Sequence, residues 1–297
     1  MELRQLKYFL RAKELLNFTA AASELHISQS TLSQQVKQLE IELGTPLFER
    51  IGKRIKLTEA GELFHDYALQ SVTSANNGFQ MLKDLNNMET GELKIGVTFA
   101  LRQVIATTVK QFLALYPKIL VHIVYGTSEE LLQKLDNFEL DFILSFEEFE
   151  KNNSHQYQPL FDSPMVLIGS PESDLKKVNK IRVKDIENLP LALPAKGFST
   201  RKYIDDVFKK KNLNLNISIE VNDIPMLLDL VKSGKYYTIL AKTTIQDYDS
   251  IIAVPIIQPA LMRKGMIISV KDIYEKRAVS EFYKIIDQYT NSPSPVS

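Results

Sequence analysis

The first 45 residues contain three segments in which apolar residues recur at helical spacing. In the first segment, Leu6, Phe9 and Leu10 fall on one face, because residues three and four apart lie together on a helix. This pattern predicts a first helix from near Leu3 to about Leu15.

A second helix is predicted from an N-cap at Thr19 through Leu25, followed by a tight turn at His26 and Ile27. Ser28 is the predicted N-cap of the third helix, since a serine hydroxyl accepts hydrogen bonds from the free N–H groups of a first turn. Two helices joined by so short a turn are typical of a helix-turn-helix.

The third helix has one apolar stripe and one uncharged polar face. The stripe consists of Leu32, Val36, Leu39 and Leu43. The polar face carries Gln29 at its leading end, then Ser30, Ser33, Gln34 and Lys37. An ordinary solvated face would explain this pattern in an isolated helix. After a helix-turn-helix it favours insertion into the DNA major groove, where glutamine bonds adenine and serine bonds several base edges. We include Thr19 in this predicted DNA surface.

Residues 46–58 predict a small hairpin with its turn at Gly52. Four cations lie within seven residues of it: Arg50, Lys53, Arg54 and Lys56. A basic hairpin is often only a solvated loop, but beside a recognition helix it is typical of a wing that contacts DNA phosphates. Arg50, Lys53 and Arg54 complete the predicted DNA-binding set.

A long amphipathic helix should follow, capped by Thr58. Its apolar positions are Phe64, Ala68, Val72, Ala75, Phe79, Leu82 and Leu85. About 28 residues make a rod of roughly 42 Å, and a single free rod would expose this stripe to water. Pairing with a second copy buries the stripe; packing on the chain's own second domain is the alternative. Interspersed serines and asparagines favour pairing.

From Gly91 onward, strands alternate with helices, which predicts an α/β domain with a largely parallel sheet. Strands are predicted at 93–97, 119–125, 141–145, 165–169, 217–221 and 237–241, and helices at 104–113, 129–135, 200–210 and 225–232. The tail, 291–297, is rich in serine and proline and is predicted to be disordered.

Hydroxyl residues stand where strands end and helices begin in this domain. They form three groups: Thr98 with Phe99 and Ala100, Thr127 with Ser128, and Ser199 with Thr200. Ligands of open α/β sheets bind at such strand ends, and helix N-termini favour small anions or carboxylates. Serine and threonine are also the usual helix caps, so these residues are either an effector site or plain caps.

Composition limits the remaining possibilities. The 297 residues include no cysteine, which excludes disulfides, thiolate metal sites and thiol redox sensing. No stretch resembles a membrane span or a secretory signal, so the cytoplasm is the expected compartment. The net charge is zero, but residues 1–58 hold nine Lys/Arg and six Asp/Glu. The head is therefore the part that is expected to meet a polyanion.

Four blocks together resemble the LysR-type transcriptional regulators: Met1–Leu10, Phe18–Glu40, Leu43–Arg50 and Leu57–Gly61. The resemblance implies a winged helix-turn-helix over 1–58, a linker and dimerisation helix over 59–88 and an effector-binding domain over 89–297. It also implies that the effector domain has two lobes, like a type 2 periplasmic binding protein, with the last helices returning to the first lobe. Ser30, Asn17 and Gln34 depart from the family pattern, so no operator sequence carries over. Residues 198–201, 204–205, 220–224 and 33–35 are similar to the cyanate-responsive branch.

Two other classes of protein fit the sequence less well. An enzyme lacks support because the histidines, His26, His65, His122 and His155, are scattered and no nucleophile motif or phosphate loop is present. A solute-binding transport protein would need an export signal where the head stands. We therefore expect a transcription regulator without metal or cofactor. Its expected partners are double-stranded DNA, a small-molecule effector, one or three further copies of the chain, and RNA polymerase, with no membrane. A regulator with another effector, or none, stays open.

Overall fold

The structure is a computed structural model that describes residues 1–51, 54–86, 91–147, 153–246, 248–271 and 273–291. The chain forms two compact units, Met1–Asn86 and Asn87–Ser297. Among the described helices, none combines the length and the apolar character that a membrane span requires. The tail predicted to be disordered begins at Asn291, and for that residue the prediction is wrong, because Asn291 is the last residue of a helix. The rest of the tail lies outside the described residues.

The first unit is helical with one hairpin. Its elements are α1 (Leu3–Leu15), α2 (Phe18–Glu24), α3 (Gln29–Leu43), β1 (Phe48–Ile51), β2 (Arg54–Leu57) and α4 (Glu59–Asn86). Phenylalanine rings join these elements: the Phe9 ring lies 5.4 Å from that of Phe48 and 5.5 Å from that of Phe64. The core therefore ties α1, the hairpin and the start of α4 together.

The predicted N-cap at Thr19 is wrong. Asn17 caps α2, because its Oδ1 accepts hydrogen bonds from the N–H groups of Thr19 and Ala20 at 2.9 and 3.1 Å. Asparagine and threonine are both good caps, and spacing alone does not choose between them. Ser28 caps α3 as predicted, with its hydroxyl 3.1 Å from the N–H of Thr31.

The long helix α4 begins as predicted. The Thr58 hydroxyl donates to the Pro46 carbonyl at 2.7 Å and accepts from the Gly61 N–H at 3.0 Å. Part of the predicted dimerisation stripe has another role, because Ala68 and Val72 are buried in the head's own core. This part of the stripe therefore packs on the head, and not on a second copy or the second domain as predicted.

The second unit has three layers of helix and sheet. Its strands are β3 (Gly91–Val97), β4 (Ile119–Tyr125), β5 (Phe142–Phe146), β6 (His155–Gly169), β7 (Ile181–Arg182), β8 (Leu191–Pro194), β9 (Ile217–Val221), β10 (Thr238–Ala241), β11 (Ile252–Ile257) and β12 (Met262–Val270). Its helices are α5 (Arg102–Leu115), α6 (Ser128–Asp136), α7 (Ser199–Lys210), α8 (Ile224–Lys232) and α9 (Arg277–Asn291).

The main sheet is mixed, so the prediction of a largely parallel sheet is wrong. Its order is β4-β3-β5-β12-β6-β11-β7, with β10 also paired to β6. Strands β3, β4 and β5 are parallel, whereas β12 and β6 run antiparallel to their neighbours. Strand β6 leads from a first lobe into a second lobe and β12 leads back, so the two strands pass in opposite directions.

The first lobe contains β3–β5, α5, α6 and α9, and the second contains β8–β10, α7 and α8. Strand β6 pairs with β12 along its first ten residues and with β10 and β11 along Met165–Gly169. Helix α9 returns to the first lobe, where the Phe282 ring lies 5.3 Å from Phe112 and 5.5 Å from Phe142. The lobes are thus connected by two long strands.

Candidate nucleic-acid interface and ligand pocket

The outer face of α3 is exposed where the DNA surface is predicted. Gln29, Ser30, Gln34 and Lys37 are exposed and Ser33 is half-buried. Thr19 is exposed too, in the first turn of α2. The structure therefore leaves the described members of this predicted surface accessible from outside the head.

The inner face of α3 is anchored by close packing. Leu32, Val36 and Leu39 are at most 1% exposed. Leu32 and Val36 share a buried cluster with three alanines of the first two helices: Ala12, Ala21 and Ala22. The small side chains of these alanines let the helices cross closely, which fixes the position of α3 in the head. The stripe ends early, since Leu43 is 36% exposed beside Gly44, whose φ of 71° ends the helix.

Three carboxylates of the head are engaged by other groups. Glu40 accepts hydrogen bonds from the N–H groups of Leu47 and Phe48 at 2.8 and 3.0 Å, so it fixes the entry to the hairpin. Arg11 of α1 pairs with Glu14 and Glu24 at 2.6 and 3.3 Å. The residues of α3 that are predicted to meet DNA are glutamine, serine and lysine, and Glu40, Glu14 and Glu24 are each held by a hydrogen bond or an ion pair.

The predicted wing is an antiparallel hairpin in which Arg50 pairs with Ile55 and Ile51 with Arg54. Ile55 and Leu57 are buried and Lys56 is exposed. Arg50 and Arg54 lie on the two strands, and Lys53 lies outside the described residues.

A small pocket, with a cavity volume of about 20 Å³, lies between the two lobes of the second unit. It is lined by Thr98, Phe99, Ala100, Gly126, Thr127, Ser128, Phe198, Ser199, Thr200, Ile224, Leu240 and Thr244. All seven residues predicted to bind an effector are in this set. They come from three separate segments, in both lobes, that the strand ends bring together.

The hydroxyls of the first lobe are already engaged. Thr127 caps α6: its hydroxyl lies 3.3 Å from the Glu130 N–H and 3.0 Å from the Glu130 carboxylate. The N–H of Thr127, and then its hydroxyl, donate to that carboxylate and lower the pKa of Glu130. Ser128 bonds Ser145 at 3.0 Å, and Thr98 donates to the Leu144 carbonyl at 3.3 Å. Thr127 therefore has the cap role that was the alternative prediction.

The second lobe presents an open helix start. The N-cap of α7 is Phe198, which provides no capping side chain, so Ser199 is the first helical residue. No carboxylate lies in the first turn of α7, and its free N–H groups carry partial positive charge. Arg201 is buried there, but Asp205 and Glu220 pair with it at 2.8 Å each.

Two residues of the site were missed in the sequence. The Thr244 hydroxyl oxygen is buried without a hydrogen-bond partner among the described residues, and it lies at the pocket wall. Arg263 of β12 is 3% exposed and donates a hydrogen bond to the Ser199 carbonyl. The sequence pattern indicates neither residue as part of a ligand site, because Thr244 follows a short strand and Arg263 resembles an ordinary surface cation.

The structure gives one of the four histidines a structural role. His155 is buried and bonds Asp136 at 2.7 Å, which is a structural contact between β6 and α6. Among the described residues, no group of three or more His, Cys, Asp or Glu is arranged to hold a metal ion.

Comparison with known proteins identifies both units. The sequence signature of the LysR substrate binding domain matches residues 86–290, and that of the bacterial regulatory helix-turn-helix protein, lysR family, matches residues 3–62. The chain belongs to the LysR family of transcriptional regulators. As a LysR-family protein it is a DNA-binding regulator with an effector-binding domain, and it is not an enzyme.

Known LysR-family proteins resemble the chain over most of its length. It is 30% identical to the HTH-type transcriptional activator CmpR from Synechocystis sp. over 240 residues, which are 80% of this chain and 78% of that protein. A full-length OxyR variant from Pseudomonas aeruginosa has a TM-score of 0.79 at 22% identity, with 99% of each chain covered. CbnR complexed with its target DNA has a TM-score of 0.65 at 23% identity, covering 97% of this chain and 99% of that one. Both structures support the fold.

Proposed function

We propose that this LysR-family regulator reads its operator with the outer face of α3, contacts phosphates with the hairpin, and responds to a small anion or carboxylate bound between the lobes. The head, long helix and body correspond to our proposed domains 1–58, 59–88 and 89–297. The observation that carries the ligand proposal is the pocket: three groups of hydroxyl residues, distant in sequence, line it together with an uncapped helix N-terminus.

The pocket suits a small ligand with one anionic end. Phe99, Phe198, Ile224 and Leu240 supply apolar walls. Among the residues that line it there is no lysine, arginine, aspartate or glutamate. A helix N-terminus and hydroxyl donors bind an anion without a full countercharge, and no carboxylate is present to repel it.

We propose that the regulator acts as a homodimer or homotetramer in the cytoplasm. Helix α4 supports this assembly, since Leu63, Tyr67 and Phe79 are more than 60% exposed on a single chain. A ligand that binds one arrangement of the lobes more tightly shifts the assembly toward it, and with it the placement of the heads on DNA or against RNA polymerase.

The first test is a thermal-shift titration of the full chain with sodium salts of acetate, butyrate, cyanate, bicarbonate and phosphate. Sodium chloride at equal ionic strength is the control. A ligand that binds only the folded state must raise the melting temperature in a saturable manner. One saturating anion supports the proposal, and cyanate would support the similarity to the cyanate-responsive branch. A flat response to every anion contradicts the anionic effector and leaves the DNA-binding function standing.

The DNA interface predicts different effects for two neighbours on α3. Gln34→Ala should relax base preference, because a bidentate base contact discriminates by about 1–3 kcal/mol. Lys37→Ala should weaken binding to all DNA sequences alike. It should also reduce the slope of log affinity against log salt concentration by about 0.9, since one phosphate contact is lost. Binding titrations at several salt concentrations measure both quantities.

Lys235→Ala, an equal charge removal far along the chain, is the control. An unchanged base preference in Gln34→Ala would remove that residue from the interface. The same salt titration with Arg50, Lys53 and Arg54 replaced by alanine tests the wing, where an unchanged slope would contradict phosphate contact.

A further inference from the structure

Arg263 is buried between the two lobes, directly behind the ligand pocket. Its guanidinium carbon lies 4.9 Å from the ring centre of Phe146, at the end of β5 in the first lobe. It lies the same distance from the ring centre of Tyr203, on α7 in the second lobe. The planar cation is therefore stacked against a ring from each lobe, a geometry that lysine does not reproduce.

Two hydrogen bonds from Arg263 reach the start of α7. One terminal nitrogen donates to the Ser199 carbonyl at 2.9 Å. The other donates to the Ser199 hydroxyl at 3.3 Å and to the Glu147 carbonyl at 3.4 Å. Ser199 lines the pocket, so the cation is one side chain removed from any ligand there.

This contact fixes the direction in which the Ser199 hydroxyl acts. A guanidinium has only donors, so Ser199 Oγ accepts from Arg263 and its own proton stays available to donate. A donor directed at the pocket selects a ligand with an acceptor oxygen. Thr127 differs, because its hydroxyl both donates to and accepts from Glu130.

The positive charge of Arg263 also favours an anionic ligand. Cations are unfavourable near the positive end of a helix, yet Arg263 touches the first residue of α7. The first turn of α7 contains no carboxylate. An anion in the pocket would interact favourably with both the helix end and the guanidinium, because a site of low dielectric screens them little.

We propose that Arg263 is the positioning residue that sets the anion preference of the pocket, by holding Ser199 as a hydrogen-bond donor and placing a positive charge behind it. This inference rests on the proposed anionic effector. A purely structural role, tying α7 to β5, would instead affect all ligands equally.

The experiment compares carboxylates with their neutral amides: acetate with acetamide, and butyrate with butyramide. Dissociation constants are measured by ligand-observed NMR on the full chain, as wild type, Arg263→Gln, Arg263→Lys, Ser199→Ala and Ser233→Ala. In the wild type we expect the carboxylate to bind more tightly. Arg263→Gln and Ser199→Ala should each lower the carboxylate-to-amide ratio by about fivefold or more, the excess of a hydrogen bond to a charged group over one to a neutral group. Ser233→Ala removes a hydroxyl outside the pocket, which bonds the Leu230 carbonyl, and should keep the ratio.

The outcomes separate the two proposals. No carboxylate preference in the wild type overturns the anionic effector and this inference with it. A wild-type preference that survives in Ser199→Ala and both Arg263 variants overturns the role of Arg263 alone. If the Arg263 variants weaken the binding of carboxylate and amide equally, the role of Arg263 is likewise overturned. Where Arg263→Gln fails to fold, Arg263→Lys tests the role of Arg263, since it keeps the charge but not the paired contacts to Ser199. Ser199→Ala leaves the Arg263 contact to the Ser199 carbonyl in place and tests the hydroxyl donor by itself.

Discussion

At the scale of single residues, the pocket hydroxyls differ in what their hydrogen bonds leave available. Thr127 and Ser199 were predicted on the same grounds, as hydroxyls at helix starts. In the structure Thr127 caps α6, whereas the Ser199 hydroxyl accepts a hydrogen bond from Arg263 and Ser199 lines the pocket. The lowered pKa of Glu130 means that the capping box stabilises the fold above glutamate's ordinary pKa. That contribution is lost as the pH falls through the lowered value.

Thr244 offers a direct test of the pocket at this scale. Its buried hydroxyl has no partner among the described residues, so Thr244→Val should raise the stability of the ligand-free chain by about 1 kcal/mol, because an unpaired buried polar group is costly. The same change should weaken a ligand that bonds this hydroxyl. Urea denaturation with and without the saturating anion measures both effects.

Thr243→Val is the matched control for this prediction. The Thr243 hydroxyl lies 3.3 Å from that of Ser163, so its loss should destabilise the chain. If Thr244→Val destabilised the chain as much as Thr243→Val, the Thr244 hydroxyl would have a partner and would not await a ligand.

At the scale of elements, periodicity predicted the helices better than the strands. The stripe of α3 and the starts of α4 and α8 follow the pattern, because one face of each packs on a core and the other meets solvent. Strands β8 and β11 were missed, and each contains a proline, Pro194 and Pro255, which demotes a strand pattern. Strand β12 was missed because Arg263 and Lys264 interrupt its apolar run.

Helix α4 contains two glycines that should respond oppositely to alanine. A Cβ on Gly61 would collide with the Leu47 carbonyl and would lie 2.8 Å from Leu57 Cδ2, so Gly61→Ala should displace α4 from the hairpin. We expect a loss of about 1–3 kcal/mol, as for other overpacked sites, together with weaker DNA binding. Melting temperature and operator affinity measure the two effects.

Gly78→Ala is the control in the same helix, since a Cβ there meets nothing within 4 Å. It should stabilise the chain by up to about 1 kcal/mol, because alanine favours helix over glycine. If the two substitutions had equal effects, the close packing of Gly61 against Leu47 and Leu57 would be contradicted.

At the scale of the molecule, the order of units and the pocket were predictable, but the sheet was not. The hydroxyls at strand ends line one pocket, since strand ends meet in open α/β sheets whatever their order. That they bind an effector there stays a prediction. The mixed sheet depends on β6 and β12, whose partners lie far apart in the chain. Local pattern carries no information on such pairing, so the direction of these strands appeared only in the structure.

The assembly also makes a prediction at this scale. Phe79→Glu should lower the oligomeric state, because it places a charge among the exposed apolar residues of α4. Light scattering over a concentration series measures the mass. Gln70→Glu adds the same charge at an exposed polar position on the opposite side of α4 from Phe79 and should leave the mass unchanged. If Phe79→Glu kept the wild-type mass, dimerisation through this face would be wrong.

The return of β12 and α9 to the first lobe also determines the order in which the body can be completed during synthesis. The second lobe is contiguous in the chain, from Met165 to Ile257, and can pack as soon as it leaves the ribosome. The first lobe is begun earlier, yet its core has no Phe282 until the last helix has been made. The lobe that is translated first is therefore the lobe that finishes folding last.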